Sequence, residues 1–382
     1  MRTLHDWLAR GLEAAGCPAG AAAMVSSSRV IAAAVVGDIT FETPVLLGST
    51  SKSVTGLAVR QLAEQGLLEL DVPLRAYLPK ARVLPNATVR EVAQHCSGVR
   101  SDSTLARDKS FRYANQNYNY LGQLVEQLSE TSFVQYVRRR IAPSAQGSSH
   151  FGHTAVFGRW VRTRPFPTEH SSWIQPASGA LAMSLRGACA YLQALLTQPV
   201  PVLDAVPTGP SPAVAGVFGE EGSYSFGWIL KEHAGVRLMV HTGKTPGTTT
   251  MFALIPERDL GVVLLVPYAD FLVTTPLLEQ LSEALIRLAL GEEPTLPTVR
   301  ERRAKRLALF GTYALVLGGA VGVAALSSWL RVLWLGPALA FVCGAALRIV
   351  SGTPTLWILR FAPDFFAVAV VAFVVMSSSV LA

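Results

Sequence analysis

The chain has 382 residues, 50% of them hydrophobic and only 15% charged, with a formal net charge of +7. Soluble chains carry about 25% charged residues, so this composition, with a mean hydropathy of +0.36, points towards a bilayer. The positive charge is not interleaved with aromatic residues, which argues against a nucleic-acid partner. Arg300, Arg302, Arg303, Lys305 and Arg306 instead stand directly before an apolar run, where lipid headgroups would meet them.

The chain opens with "LHDWLARGLEAAG", whose apolar residues recur at helical spacing. This amphipathic start does not have the form of a secretory signal. A strand-like run follows in "AAAMVSSSRVIAAAVV". Long helical patterns cover 52–67, 117–130 and 184–197. "TTTMFALIPERDLGVVLLVP" predicts a hairpin around "PERD", and "PLLEQLSEALIRLAL" an amphipathic helix that closes the domain. Strands at both ends, with helices between them and at both termini, predict an α/β sheet domain over 1–292 with a helical subdomain.

Residues 293–306 read as a basic, Pro-containing linker. Beyond it the composition changes. The runs 307–326, 332–347 and 365–382 carry no charge, and about 20 apolar residues suffice to span a bilayer. Arg331 and Arg348 can snorkel from the shorter second run, and Trp329, Trp334 and Trp357 lie near the segment ends. Three transmembrane helices are expected. Cys17, Cys96, Cys189 and Cys343 are scattered, without metal-ligand spacing, and read as free packing thiols. No metal or cofactor is implied.

The stretch "LGSTSKSVTGLAV" places Ser49 three residues before Lys52 at the head of a helical pattern. Positions three apart share a helix face, and a buried lysine can lose its proton near neutral pH and activate a hydroxyl. The chain holds few lysines (Lys52, Lys80, Lys109, Lys231, Lys244 and Lys305). A role that needs a deprotonatable amine cannot pass to arginine. Downstream, "FRYANQNYNYLG" holds Tyr113 and Asn115, and "MVHTGKTPG" holds His241, Thr242, Gly243 and Lys244.

This order of motifs resembles the serine β-lactamase and penicillin-recognising hydrolases, in the class C-like branch that includes D-aminopeptidases, DD-peptidases and esterases. "GLAVRQLAEQGLLELDVPLRAYLP", "ATVREVAQHCSGV", "PASGALAMSLRGACAYLQALL" and "YSFGWIL" also have counterparts there, so the resemblance covers roughly 1–290. It implies a β-lactamase-like antiparallel sheet flanked by terminal helices, with Ser49 as acylated nucleophile and Lys52 sharing its proton. Tyr113 would be the general base of acylation, and Asn115 would bind the substrate amide. The strand His241, Thr242, Gly243 and Lys244 would bind substrate, with the backbone N–H groups of Ser49 and Lys244 as oxyanion hole. His95 is assigned to structure. The stretch 144–172 is shorter than is usual in the family, which bears on the substrate pocket.

A hydrolase domain followed by three spans is similar to the membrane-bound peptidases that activate nonribosomal peptide prodrugs by removing an N-acyl-amino-acid leader, often an acyl-D-asparagine. The implied partners are an acylated peptide or small-molecule substrate, the lipid bilayer and an exporter. The alternatives are a DD-peptidase, β-lactamase or esterase with the same machinery, and a penicillin-binding sensor that acylates slowly. The basic flank before 307 would place the domain in the cytoplasm by the positive-inside rule. The resemblance places it outside, and an extracytoplasmic catalytic domain on a multi-pass membrane protein is the expectation adopted.

Overall fold

A computed structural model describes residues 3–100, 104–148, 152–163, 174–197, 206–208, 222–325, 367–368 and 370–371. Helix α1 (Leu4–Ala15) starts at Thr3, whose side chain accepts from the Asp6 N–H, and stops at Gly16 in the left-handed region. The run expected as one strand folds as two, β1 (Gly20–Val25) and β2 (Val30–Val36). The reason is local: the Ser26 N–H donates to the Arg29 carbonyl and closes a turn through the serines.

Six further strands complete the sheet: β3 (Val206–Thr208), β4 (Gly222–Ser225), β5 (Trp228–His233), β6 (Val236–Thr245), β7 (Thr248–Ile255) and β8 (Leu260–Val266). They pair antiparallel in the order β2-β1-β8-β7-β6-β5-β4-β3. Every residue of β1, β7 and β8 is buried, because helices cover both faces of the sheet. Near-continuous apolar runs such as "LGVVLLV" are the sequence mark of that double cover. Helix α1 and the closing helix α6 (Thr274–Ala289) pack together over one face, and α5 (Leu185–Thr197) lies against β1 and β8 from the other.

Helices α2 (Ser51–Glu64), α3 (Asn115–Ser129) and α4 (Phe133–Arg140), with the short helices Leu74–Tyr77 and Val89–Ala93, build the expected helical subdomain. Residues Ser51 to Gly56 of α2 are buried all round, since the sheet lies on one side and α3 on the other. Cys17, Cys96 and Cys189 are buried free thiols; Cys343 lies outside the described residues.

Helix α7 (Val299–Ala325) begins inside the stretch read as a linker, so the basic cluster occupies its first turns. Arg302 donates from Nη1 to the Glu13 carbonyl at 2.7 Å, a cation at the C-terminal end of α1. Further along, Tyr313 is buried against Leu272 and Val368, with its ring 6.3 Å from that of Phe157. Among the described residues, no helix is long and apolar enough to cross a membrane. Helix α7 spends its first two turns on charged residues, and its side chains are described only as far as Val321. The second expected span and nearly all of the third lie outside the described residues.

Candidate active site

Ser49 occupies the tight turn Gly48–Thr50, which runs straight into α2. The Leu47 carbonyl anchors this turn to the sheet, accepting from Thr50 Oγ1 at 2.7 Å and from Thr250 Oγ1 of β7 at 2.6 Å. Two glycines allow the turn and strand β6 to meet backbone to backbone. A Cβ on Gly243 would lie 1.9 Å from the Leu47 carbonyl oxygen, and one on Gly48, where φ is +56°, 2.8 Å from the Lys244 nitrogen. The glycine of the His-Thr-Gly motif is thus a packing requirement, and it brings the Lys244 backbone beside Ser49.

Lys52 is fully buried one turn after Ser49. Its Nζ lies 3.0 Å from Ser49 Oγ, 2.8 Å from Asn115 Oδ1 and 2.6 Å from the Ser178 carbonyl oxygen. Burial holds its pKa well below the ordinary lysine value. The partner set can accommodate a neutral amine. Two partners are carbonyl oxygens that can only accept, so they take the two protons of the NH₂. The third is a hydroxyl, which can donate to the remaining lone pair.

Tyr113 stands in the extended segment before α3, with the Ser49 side chain close to its hydroxyl. Burial raises its pKa, and Ser49 opposes that shift. Lys52 Nζ sits 4.9 Å above the centre of the Tyr113 ring. Asn115, the first residue of α3, turns its Oδ1 to Lys52. His241 is buried on β6. Its Nδ1 donates to the Thr242 carbonyl at 2.8 Å, leaving Nε2 to accept from the Tyr224 hydroxyl at 3.2 Å. Burial, then the nearby Lys52, lowers its pKa to about 3, so it is neutral.

Ser49, Lys52, Tyr113, Asn115 and His241 therefore converge, although they come from three separate segments. Thr242 is half-buried beside them. The Lys244 side chain departs from the site: it pairs with Glu279 of α6. Any part it takes in substrate binding belongs to its backbone N–H. His95 lies against the Tyr113 ring, 4.4 Å between centroids, and its Nδ1 accepts from the Ala114 N–H at 3.3 Å. It forms the wall behind Tyr113. Sequence reasoning gave no role to the Ser178 carbonyl or to Tyr224. A backbone carbonyl leaves no trace in residue type. Tyr224 lay within "YSFGWIL", but only the fold shows it meeting His241.

The profile of the Beta-lactamase family matches residues 4–271. Protein flp of Staphylococcus aureus (strain MW2) is 22% identical over 263 residues, covering 57% of this chain and 52% of that protein. The chain thus spans about half the length of the curated relatives it matches. Among solved structures, the octameric penicillin-binding protein homologue from Pyrococcus abyssi superposes with a TM-score of 0.63 at 21% identity, over 77% of this chain and 78% of that one. The D-alanine carboxypeptidase AmpC from Burkholderia cenocepacia gives 0.57 at 17%, over 74% and 96%. At these identities the structural likeness speaks for the fold, while the family profile covers most of the chain. The chain belongs to the Beta-lactamase family of serine hydrolases.

Proposed function

We propose that this protein is a membrane-bound serine peptidase that works through an acyl-enzyme and removes an N-acyl-amino-acid leader from a nonribosomal peptide precursor, on the extracytoplasmic face. The observation that carries the acyl-enzyme reading is the placement of Lys52 Nζ between two carbonyl acceptors and Ser49 Oγ. Neutral Lys52 takes the Ser49 proton as Oγ attacks the scissile carbonyl. The tetrahedral oxyanion forms beside the Ser49 and Lys244 N–H groups, and each such donor is worth about 3 kcal/mol. The Tyr113 hydroxyl then passes a proton to the leaving amine and is reprotonated from Lys52, which returns to the neutral amine. Water, activated by the same groups, releases the leader and frees Ser49. The family resemblance implied Tyr113 as the general base of acylation. The raised pKa of that phenol and the lowered pKa of Lys52 favour the lysine instead.

Support for the membrane reading comes from the charge-free runs after Arg306 and from the surface of α7, where Leu307 is 73% and Leu315 77% exposed. The reaction class is tested with full-length protein in lipid nanodiscs, comparing N-acyl-D-asparaginyl peptides, peptides ending in D-alanyl-D-alanine, and cephalosporins. The proposal expects kcat/KM to be highest for the acyl-asparaginyl peptides and to rise with acyl length. Faster release of D-alanine would replace it with a carboxypeptidase.

A further inference from the structure

The hairpin 153–162 joins the catalytic strand edge to α7. At its base, the His153 N–H lies 3.1 Å from the Gly247 carbonyl, in the turn just beyond Lys244, and 3.0 Å from the Pro267 carbonyl. Aromatic contacts hold the arms: His153 stacks on Tyr268 at 4.8 Å, Trp160 meets the same ring edge-on at 5.0 Å, and Trp160 Nε1 donates to the Gly16 carbonyl at 3.0 Å. The tip is built differently. Phe157 and Gly158 both have positive φ, +48° and +79°. That is the two-residue hairpin turn in which Asn-Gly or Gly-Gly is normally found, and a bulky aromatic there is unfavourable. Yet Phe157 is 52% exposed in water, a position that gives the ring little packing in return.

What the ring does touch is Tyr313, on α7. Tyr313 lies six residues beyond Leu307, where the charge-free run begins. At 1.5 Å per residue, the hairpin tip is therefore about 10 Å further along the helix than Arg306, the end of the basic cluster. If that cluster marks the headgroup layer, the tip stands within the interface. Its surroundings agree: Arg159, Val161 and Arg162 are exposed along the outgoing arm, giving an aromatic and apolar tip backed by cations.

Resting on the membrane reading above, we propose that this hairpin is a lipid-contact element, its Phe157 tip lodged in the headgroup–acyl boundary of a bilayer leaflet and Arg159 and Arg162 paired with anionic headgroups. The occupant is a lipid surface because the exposed groups match one on both counts, apolar at the tip and positive behind it. The element fixes the distance from bilayer to chemistry. Four residues separate Phe157 from His153, and four separate Gly247 from Gly243. At about 3.3 Å per residue, the catalytic strand edge lies within roughly 26 Å of the tip along the backbone. A substrate tail leaving the lipid would have this hairpin as its track.

The test places a bimane fluorophore on Phe157→Cys in the full chain, reconstituted in vesicles of phosphatidylglycerol and phosphatidylcholine carrying a shallow nitroxide lipid. Identically treated unsubstituted chain serves as blank. Ser28→Cys, in the β1–β2 turn at the opposite end of the sheet, is the control, and extraction at alkaline pH reports whether the chain is integral. Quenching at 157 and not at 28, stronger in anionic vesicles, is expected. Integral protein with no lipid quenching at 157 would overturn the inference while leaving the membrane reading standing. So would a 157 label shielded from aqueous iodide yet untouched by lipid quenchers, which would assign the tip to a second copy or another protein. Extraction of the unsubstituted chain would overturn both. Phe157→Asn, which suits the turn better, should leave hydrolysis of a water-soluble ester unchanged and lower the rate on a bilayer-embedded acyl-peptide about fivefold. Equal rates on both substrates would count against the proposal.

Discussion

The start of α2 and the middle of α7 break the ordinary rule of burial in opposite directions. Just after Ser49, Thr50, Ser51, Lys52 and Ser53 are all fully buried although all are polar. Along α7, Leu307, Phe310 and Leu315 are exposed although all are apolar. Burying a cation or exposing a row of large apolar side chains is unfavourable in a protein that only folds. The first exception lowers the pKa of Lys52 beside a hydroxyl; the second leaves a surface that a bilayer would cover. These two places need function to explain them.

The comparison is broken most severely by removing the buried chemistry. Ser49→Ala should lower kcat by at least about 10³-fold with the fold retained, read by turnover and by loss of covalent labelling with a fluorophosphonate. Lys52→Arg should fall nearly as far, because arginine keeps the charge and cannot give up its proton. Lys52→Met, near in volume and uncharged, separates loss of the base from misfolding: it should be inactive and show at least wild-type resistance to urea. Activity within a few-fold of wild type in either variant would make Lys52 structural.

Gly243→Ala comes next. Its Cβ would sit 1.9 Å from the Leu47 carbonyl oxygen, so either the strand or the nucleophile turn must move. A loss of about 2–4 kcal/mol in urea unfolding, together with reduced acylation, is expected. Unchanged unfolding would mean that the close approach is not needed.

Acid should weaken the fold through His241. Its pKa falls from 6.5 to about 3 on folding. Between those values the unfolded chain holds a proton that the folded chain lacks. The contribution of His241 is therefore full above pH 6.5 and declines as pH drops towards 3, by a few kcal/mol. Burial shifts His95 in the same direction and adds to the slope. His241→Gln should flatten the dependence of unfolding free energy on pH by about one proton across this window, measured by urea unfolding at a series of pH values. An unchanged slope would show that His241 titrates normally.

The smallest effect is expected at Lys244→Met. Its side chain pairs with a partly exposed Glu279, away from Ser49, so stability should change by no more than about 1 kcal/mol and kcat by less than about twofold. A large fall in kcat would return the side chain to the site.

These contrasts also show how far residue type carried the reading. Ser49 and Lys52 were legible because their spacing places a serine and a lysine on one helix face, and Tyr113–Asn115 and His241–Gly243 through the order of motifs that carries the family resemblance. The sheet domain and both terminal helices were legible from periodicity, and the antiparallel pairing from the family resemblance. The β1–β2 hairpin was missed because alanine-rich strands flank a serine turn with no glycine or proline to mark it. The partners that complete the site come from contacts across the fold: the Ser178 carbonyl on Lys52, Tyr224 on His241, and His95 behind Tyr113. Such pairings depend on tertiary geometry, and no local pattern encodes them.

The central claim is that Lys52 is a neutral amine at neutral pH, sharing the Ser49 proton. With so few lysines in the chain, selective ¹³C labelling of lysine and NMR titration would read each amine directly, with Lys52→Arg assigning the resonance. The account predicts one lysine that stays neutral well below the ordinary range near 10.5 and is absent from the variant. If the Lys52 signal titrates with the exposed lysines, the base in this site is another group.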